Sequence, residues 1–328
     1  MIAVGCAPAP DGRGGLETFE VLRPEGDAGG VVLTPLGSAD VGSVGYLATA
    51  PGSQTLYVAS QLGEEARLSV FRWSARGALE LVGAERLTAG AAHLCVADDG
   101  EHLLTAEYGQ GTVSLFRIVD GGRRLTKTDE FRFEGSGPHE RQEGPHPHQV
   151  VSVGNGYVVP DLGTDLVHRF VISDDGKLEH RHQWSVPAGS GPRHAVVAQG
   201  TLFVSCELSG EVRWGAMDGG ESLDGVVRST ASTAEEVMPS AIGIHEERLF
   251  VANRGPGTIL STLASPDGLS NRDEFASGGT WPRDFDLVGD YVAIADLRDD
   301  RLRLVRARAP HVIAAEAPVS GPSCVVAL

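Results

Sequence analysis

The chain has 328 residues, with 27 Lys plus Arg against 44 Asp plus Glu, a formal charge of −17, and it carries 43 Gly and 18 Pro. So acidic a protein, without any Lys/Arg-rich block, lacks the means to neutralise phosphates, which argues against nucleic-acid binding. No run approaches ~18 consecutive apolar residues, and Met1-Ile2-Ala3-Val4-Gly5-Cys6 lacks the basic and long apolar regions of a signal peptide, so no membrane span is expected and the cytoplasm is the expected compartment.

In chain order, the first element is the apolar strand Met1–Cys6. Helical periodicity is nearly absent beyond it. Instead, a small or Pro-containing step, an apolar strand, a turn and a second strand recur from Ser43, Ala92, Pro147, Pro192, Pro239, Pro282 and Pro322. The seven copies start 40 to 55 residues apart, with a mean near 47, close to the span of a four-stranded propeller blade. A blade cannot bury its faces alone, but seven packed radially can, which predicts an all-β seven-bladed β-propeller in one domain, residues 1–328. The high glycine content is then the punctuation of tight turns. The last copy ends one strand after Pro322, so the N-terminal strand is expected to complete that blade and cover its edge. Cys6, Cys95, Cys206 and Cys324 lie far apart in apolar runs, without CxxC spacing, and read as reduced core residues.

The longest interval holds Gly135–His146, a polar loop with His139, Arg141, Glu143 and His146 that the architecture does not require. Comparing copies clusters further candidates. The strand-opening step carries Tyr46, His93, His148, Arg193, His194, Ser240 and Arg283; the end of the apolar strand carries Ser60, Glu107, Asp161, Glu207, Arg254 and Asp296. Asp161, Asp165 and Asp296 are explained by turn chemistry, since Asp bonds its own backbone. Glu107 and Glu207 fit that explanation less well. His146 and His148 alternate along an extended segment, about 7 Å apart, suited to an acid-base pair or to metal ligation. With no cysteine nearby and no recognised ligand spacing, a metal-free site is expected, with no cofactor.

Arg141-Gln142, Pro145-His146-Pro147-His148, Asp161-Leu162-Gly163-Thr164-Asp165, Gly191-Pro192-Arg193-His194, Cys206-Glu207, Asn253-Arg254-Gly255 and Pro282-Arg283-Asp284-Phe285 together resemble the seven-bladed propeller lactonase family, which includes 6-phosphogluconolactonase and the carboxy-muconate cycloisomerases. The resemblance implies catalytic roles for His148, Arg193, Glu207 and Arg254. Arg141, Gln142, His146, His194, Arg283, Tyr46, His93 and Glu107 would line the substrate site. Cys206 departs from the pattern, standing where Asn is expected.

Hydrolysis of a lactone needs an activated water, oxyanion stabilisation and a proton for the leaving alkoxide. His148 or Glu207 would act as base, and the arginines would hold a substrate carboxylate or phosphate. The expectation is a lactonase acting on a small anionic sugar lactone, with no nucleic-acid or membrane partner; the oligomeric state is left open, a monomer being compatible with a closed propeller. Lactonising cycloisomerisation uses the same groups and is the alternative; a non-catalytic binding propeller is the third.

Overall fold

The computed structural model describes residues 1–8, 14–23, 30–50 and 52–328. The described strands form seven four-stranded antiparallel sheets. In chain order the first comprises Ser43–Thr49, Thr55–Leu62, Glu65–Trp73 and Leu79–Leu87. The second comprises His93–Val96, His102–Glu107, Thr112–Val119 and Arg124–Arg132; the third Val151–Ser152, Tyr157–Asp161, Leu166–Ile172 and Leu178–Ser185. The fourth comprises Pro192–Ala198, Thr201–Cys206, Glu211–Ala216 and Gly225–Arg228; the fifth Met238–His245, Arg248–Arg254, Thr258–Ser265 and Gly268–Ala276. The sixth comprises Pro282–Val288, Tyr291–Asp296, Arg301–Arg306 and Ile313–Pro318. In the seventh, Pro322–Ala327 pairs with Ile2–Cys6, which is followed by Leu16–Leu22 and Val32–Ala39. The N-terminal strand does close the last sheet, as expected, and the two strands after it complete that sheet.

Burial follows strand position. Second strands such as Thr201–Cys206 and Tyr291–Asp296 are buried at every residue, matching their near-continuous apolar runs. Fourth strands such as Leu79–Leu87 are only partly covered and mix polar with apolar residues.

The strands divide between two compact units. In that of residues 1–90, 119–125 and 276–328, the strand Ile2–Cys6 sends Ile2 and Val4 into one core with Tyr291, Ala293 and Leu304, and Ala3 into another with Val44, Leu56 and Phe71. The period of two along a strand thus joins successive sheets. In the unit of residues 91–118 and 126–275, Leu104, Val113, Tyr157 and Phe170 share one core, Val158, Trp184, Leu202 and Val204 a second, and Phe203, Val212, Val251 and Leu260 a third. All four cysteines are free thiols; Cys6, Cys206 and Cys324 are buried, while Cys95 is only half-buried.

Candidate active site

Strand register decides which side chains meet. In the fourth and sixth sheets the first strand opens on a Pro, and in the fifth a Pro follows the opening Met238; each Pro pairs near the end of the second strand, and the pairing then slips at a bulge: after Pro192, after Pro239 and after Pro282. A bulged residue leaves the ladder and has its side chain re-aimed, a device common beside active sites. Arg193 and Arg283 occupy that position. At the far end of the second strand, the last residues paired to the third are Glu107, Asp161, Cys206, Asn253 and Asp296. The next residues in each chain are therefore equivalent: Tyr108, Leu162, Glu207, Arg254 and Leu297.

Glu107 is therefore not the counterpart of Glu207 that the alignment of the repeats suggests. Glu107 stands one residue before the position of Glu207, and a one-residue offset along a strand reverses the face presented. Its carboxylate is buried in its own sheet, accepting from Thr105 Oγ1 at 2.9 Å, Thr112 Oγ1 at 2.7 Å and Ser114 Oγ at 2.8 Å. Tyr108, which the sequence comparison did not single out, is the residue equivalent to Glu207 and Arg254.

Glu207 is the hub of the site. Its Oε2 lies 2.7 Å from Arg193 Nε and 2.6 Å from Arg254 Nη2, and its Oε1 lies 2.6 Å from Arg141 Nη1. Glu207 is 2 % exposed and Arg193 4 %, whereas Arg141 is 40 % exposed. Burial alone would raise the Glu207 carboxyl, but the pull of Arg254, Arg193, His148 and Arg141 holds it well below the usual carboxylate range. Arg254 is anchored further by donating from Nε to the Met238 carbonyl at 3.2 Å and from Nη2 to the Pro239 carbonyl at 3.4 Å. Gly255 follows at φ +91°, where a side chain would also collide with the Glu236 carbonyl at 2.2 Å, so only glycine lets the chain turn there. Three guanidinium groups share one carboxylate, leaving a local surplus of positive charge in an acidic protein.

Imidazoles gather beside this hub. The His148 ring lies 5.2 Å from that of His194, which lies 5.5 Å from that of His93 in an edge contact. Burial first, and Arg193 second, depress both inner rings: His93 to about 3 and His194 well below its ordinary value. Both are thus neutral near pH 7. His146 is stacked on Tyr108 at 4.2 Å, and the Tyr108 ring meets His148 edge-on at 5.7 Å.

The loop carrying Arg141, His146 and His148 is held from within. Gln142 is fully buried, its Nε2 donating to the Leu162 carbonyl at 2.8 Å and its Oε1 accepting from the His139 amide at 3.1 Å, so it serves the loop rather than a ligand. Asp161 Oδ1 accepts from the His146 amide at 2.6 Å and the Gly163 amide at 3.0 Å. Asp165 accepts at 2.7 Å from the amides of both Gly189 and Gly191, fixing the approach to Arg193. Asp296 similarly accepts from the Trp281 amide at 3.0 Å. These aspartates were expected to serve their own turns; Asp161 and Asp296 also tie the segment leading into the first strand of their sheet to the end of its second strand, and Asp165 ties the turn after the third sheet's second strand to the segment leading into the fourth sheet. His139 Nδ1 accepts from the Arg141 amide at 3.1 Å, and His146 Nε2 lies 3.2 Å from Glu143. Among the described residues, no three His, Cys, Asp or Glu form a group able to hold a metal ion.

The structure thus brings together His93, Arg141, His146, His148, Arg193, His194, Glu207 and Arg254, all in the unit of residues 91–118 and 126–275. Tyr46 and Arg283 belong to the other unit, Tyr46 opposite Ala59 and Arg283 at its bulge.

Comparison with known proteins gives this geometry a family. A 6-phosphogluconolactonase of Bacillus subtilis is 29% identical over 290 residues, covering 84% of this chain and 81% of its own. One of Formosa agariphila is 27% identical over 285 residues, covering 80% of each chain. The solved structure of the Pseudomonas aeruginosa periplasmic gluconolactonase has a TM-score of 0.86 at 24% identity, covering 99% of this chain and 98% of that one, and shows the same fold. A Lactobacillus plantarum protein reaches 0.88 at 24% identity, with the same coverage of both chains. The model of the family described as "Lactonase, 7-bladed beta-propeller" matches residues 1–327, and the chain belongs to that family, its seven sheets being the seven blades.

Proposed function

We propose that this protein hydrolyses a small anionic sugar lactone of the 6-phosphogluconolactone kind. The observation that carries the reading is the trio Arg141, Arg193 and Arg254 on the single carboxylate of Glu207 beside His148. A formal charge of −17 repels an anion at long range, so capture depends on this local surplus of positive charge. Guanidinium groups match carboxylate and phosphate oxygens in paired hydrogen bonds.

His148 takes the proton from the attacking water. The water oxygen bonds to the lactone carbonyl carbon, and Arg193 and Arg254 stabilise the oxyanion that forms. When the ring C–O bond breaks, the proton held by His148 passes to the leaving alkoxide, giving a hydroxy acid. Glu207 does not fit the part of base: a carboxylate held far below neutrality accepts protons poorly. It instead holds the guanidinium groups in a fixed array. No metal or cofactor enters any step.

The test is a panel of phosphorylated sugar lactones, uncharged sugar lactones and muconates, each assayed with and without chelator and with products identified. Ring opening with uptake of water, fastest on the phosphorylated lactones, is expected. Failure to open any lactone, or formation of a lactone of unchanged mass from a muconate alone, overturns the proposal.

A further inference from the structure

Among the described residues, Tyr108 contacts both His146 and His148 with its ring, and nothing in the sequence motifs points to it. Register places it at the position that carries Glu207 and Arg254 two and three blades further on. Its ring is wedged between His146, parallel at 4.2 Å, and His148, edge-on at 5.7 Å. The wedge is rigid because His146 is fixed on several sides. Its Nδ1 lies 3.0 Å from the Tyr108 carbonyl itself, its Nε2 is 3.2 Å from Glu143, and its amide donates to Asp161. The Tyr108 hydroxyl interacts with the guanidinium of Arg141. Arg141 needs such support more than its companions do. It rises from a loop and is 40 % exposed, whereas Arg193 and Arg254 start from strands and are nearly buried.

We infer that Tyr108 is a positioning residue: through its hydroxyl it fixes the direction of the Arg141 guanidinium toward an incoming anion, and through its ring it fixes the plane of the His148 imidazole. The two attachments make separate predictions, because one concerns anion capture and the other proton transfer. This inference rests on the lactonase reading for its kinetic consequences, but the anion-capture half can be measured without turnover.

The experiment compares the wild type with Tyr108→Phe and Tyr108→Leu, each also combined with Arg141→Met. KM and kcat are read on a phosphorylated and an uncharged sugar lactone, and Kd for the phosphorylated hydroxy acid is read by calorimetry. Tyr108→Phe keeps the ring and loses the hydroxyl. It should raise KM and Kd for the phosphorylated ligand by about tenfold, as expected for one hydrogen bond to a charged group, with kcat changed far less. The rise should be larger on the phosphorylated than on the uncharged lactone. It should vanish in the Arg141→Met background, because the hydroxyl acts through Arg141. Tyr108→Leu also loses the wedge, and its kcat should fall tenfold or more below that of Tyr108→Phe. The inference is overturned if Tyr108→Phe leaves both KM and Kd unchanged, if its effect survives undiminished beside Arg141→Met, or if the Leu and Phe variants share one kcat. Should the wild type open no lactone, the functional proposal falls while the Kd comparison still decides the role of the hydroxyl.

Discussion

Replacing Glu207 by Gln keeps the shape of the hub and removes its charge, leaving three guanidinium groups around a neutral amide. Arg141, already 40 % exposed, can swing into water. Arg193 and Arg254, 4 % and 10 % exposed, cannot. Two unit charges about 5 Å apart repel by about 3 kcal/mol at an effective dielectric constant near 20. Removing one partner of a buried ion pair costs about 3–5 kcal/mol in proteins generally. Glu207→Gln should therefore lose about 3–5 kcal/mol, read as a lower urea midpoint at neutral pH in a buffer free of multivalent anions. Excess inorganic phosphate should restore part of the loss by taking up the missing negative charge, and should protect the variant more than the wild type. The pH dependence has a definite sign. The folded Glu207 carboxyl lies below its unfolded value, so its stabilisation is complete above about pH 4.3 and is lost as pH falls further. The variant should lack that acid-side loss. A Gln variant as stable as the wild type without phosphate, or equal protection of both by phosphate, would refute the picture of Glu207 as the counter-charge that holds the arginines.

Other consequences are simpler to check. His148→Gln should lower kcat by about 10²- to 10⁴-fold with the urea midpoint little changed, as removal of a general base does. Arg141→Met, at an exposed position, should raise KM on phosphorylated lactones about tenfold or more while stability stays within about 1 kcal/mol. His93 and His194 are buried and depressed below the unfolded histidine value near 6.5, so stability should be full above about that pH and decline as pH falls below it, a slope that His93→Phe reduces. Gly163→Ala would place a methyl 1.8 Å from the Gly144 carbonyl, and should cost about 1–3 kcal/mol and displace the loop leading to His146.

The sheets were legible because a half-buried strand and a tight turn leave strong marks, and a unit repeated seven times averages away local ambiguity. The grouping of His148, Arg193, Glu207 and Arg254 was legible from comparing the copies and from the family resemblance, since equivalent places in successive repeats lie at one end of their sheets, and Arg141 was legible as part of a polar loop that the repeat does not require. The position of an individual side chain was not. Whether Glu107 or Tyr108 matches Glu207 depends on a one-residue offset set by where each second strand stops pairing, and apolar composition does not mark that point. The same offset separates bulged Arg193 from His194. The resemblance put Gln142 in the substrate site, yet a long loop must satisfy its own backbone, and that demand took the amide. The reach of Asp165 to Gly189 and Gly191, 24 and 26 residues away, is a tertiary fact that no local pattern contains.

The pairing of Ile2–Cys6 with Pro322–Ala327 has a consequence for synthesis. Ser323 Oγ donates to the Gly5 carbonyl across 318 residues of chain, and also to the Val44 carbonyl. The second strand of the seventh sheet therefore leaves the ribosome 318 residues ahead of its partner. Until then Ile2 and Val4 have no finished core to enter, and the strand has one unpaired edge. Contacts of such sequence separation form slowly, so the nascent chain carries that edge open to pairing with a neighbour until Pro322–Ala327 has emerged. Slow translation of residues 282–327, or a truncation before Pro322, should therefore show first as aggregation rather than as loss of the arginine cluster, whose contributing strands all emerge earlier.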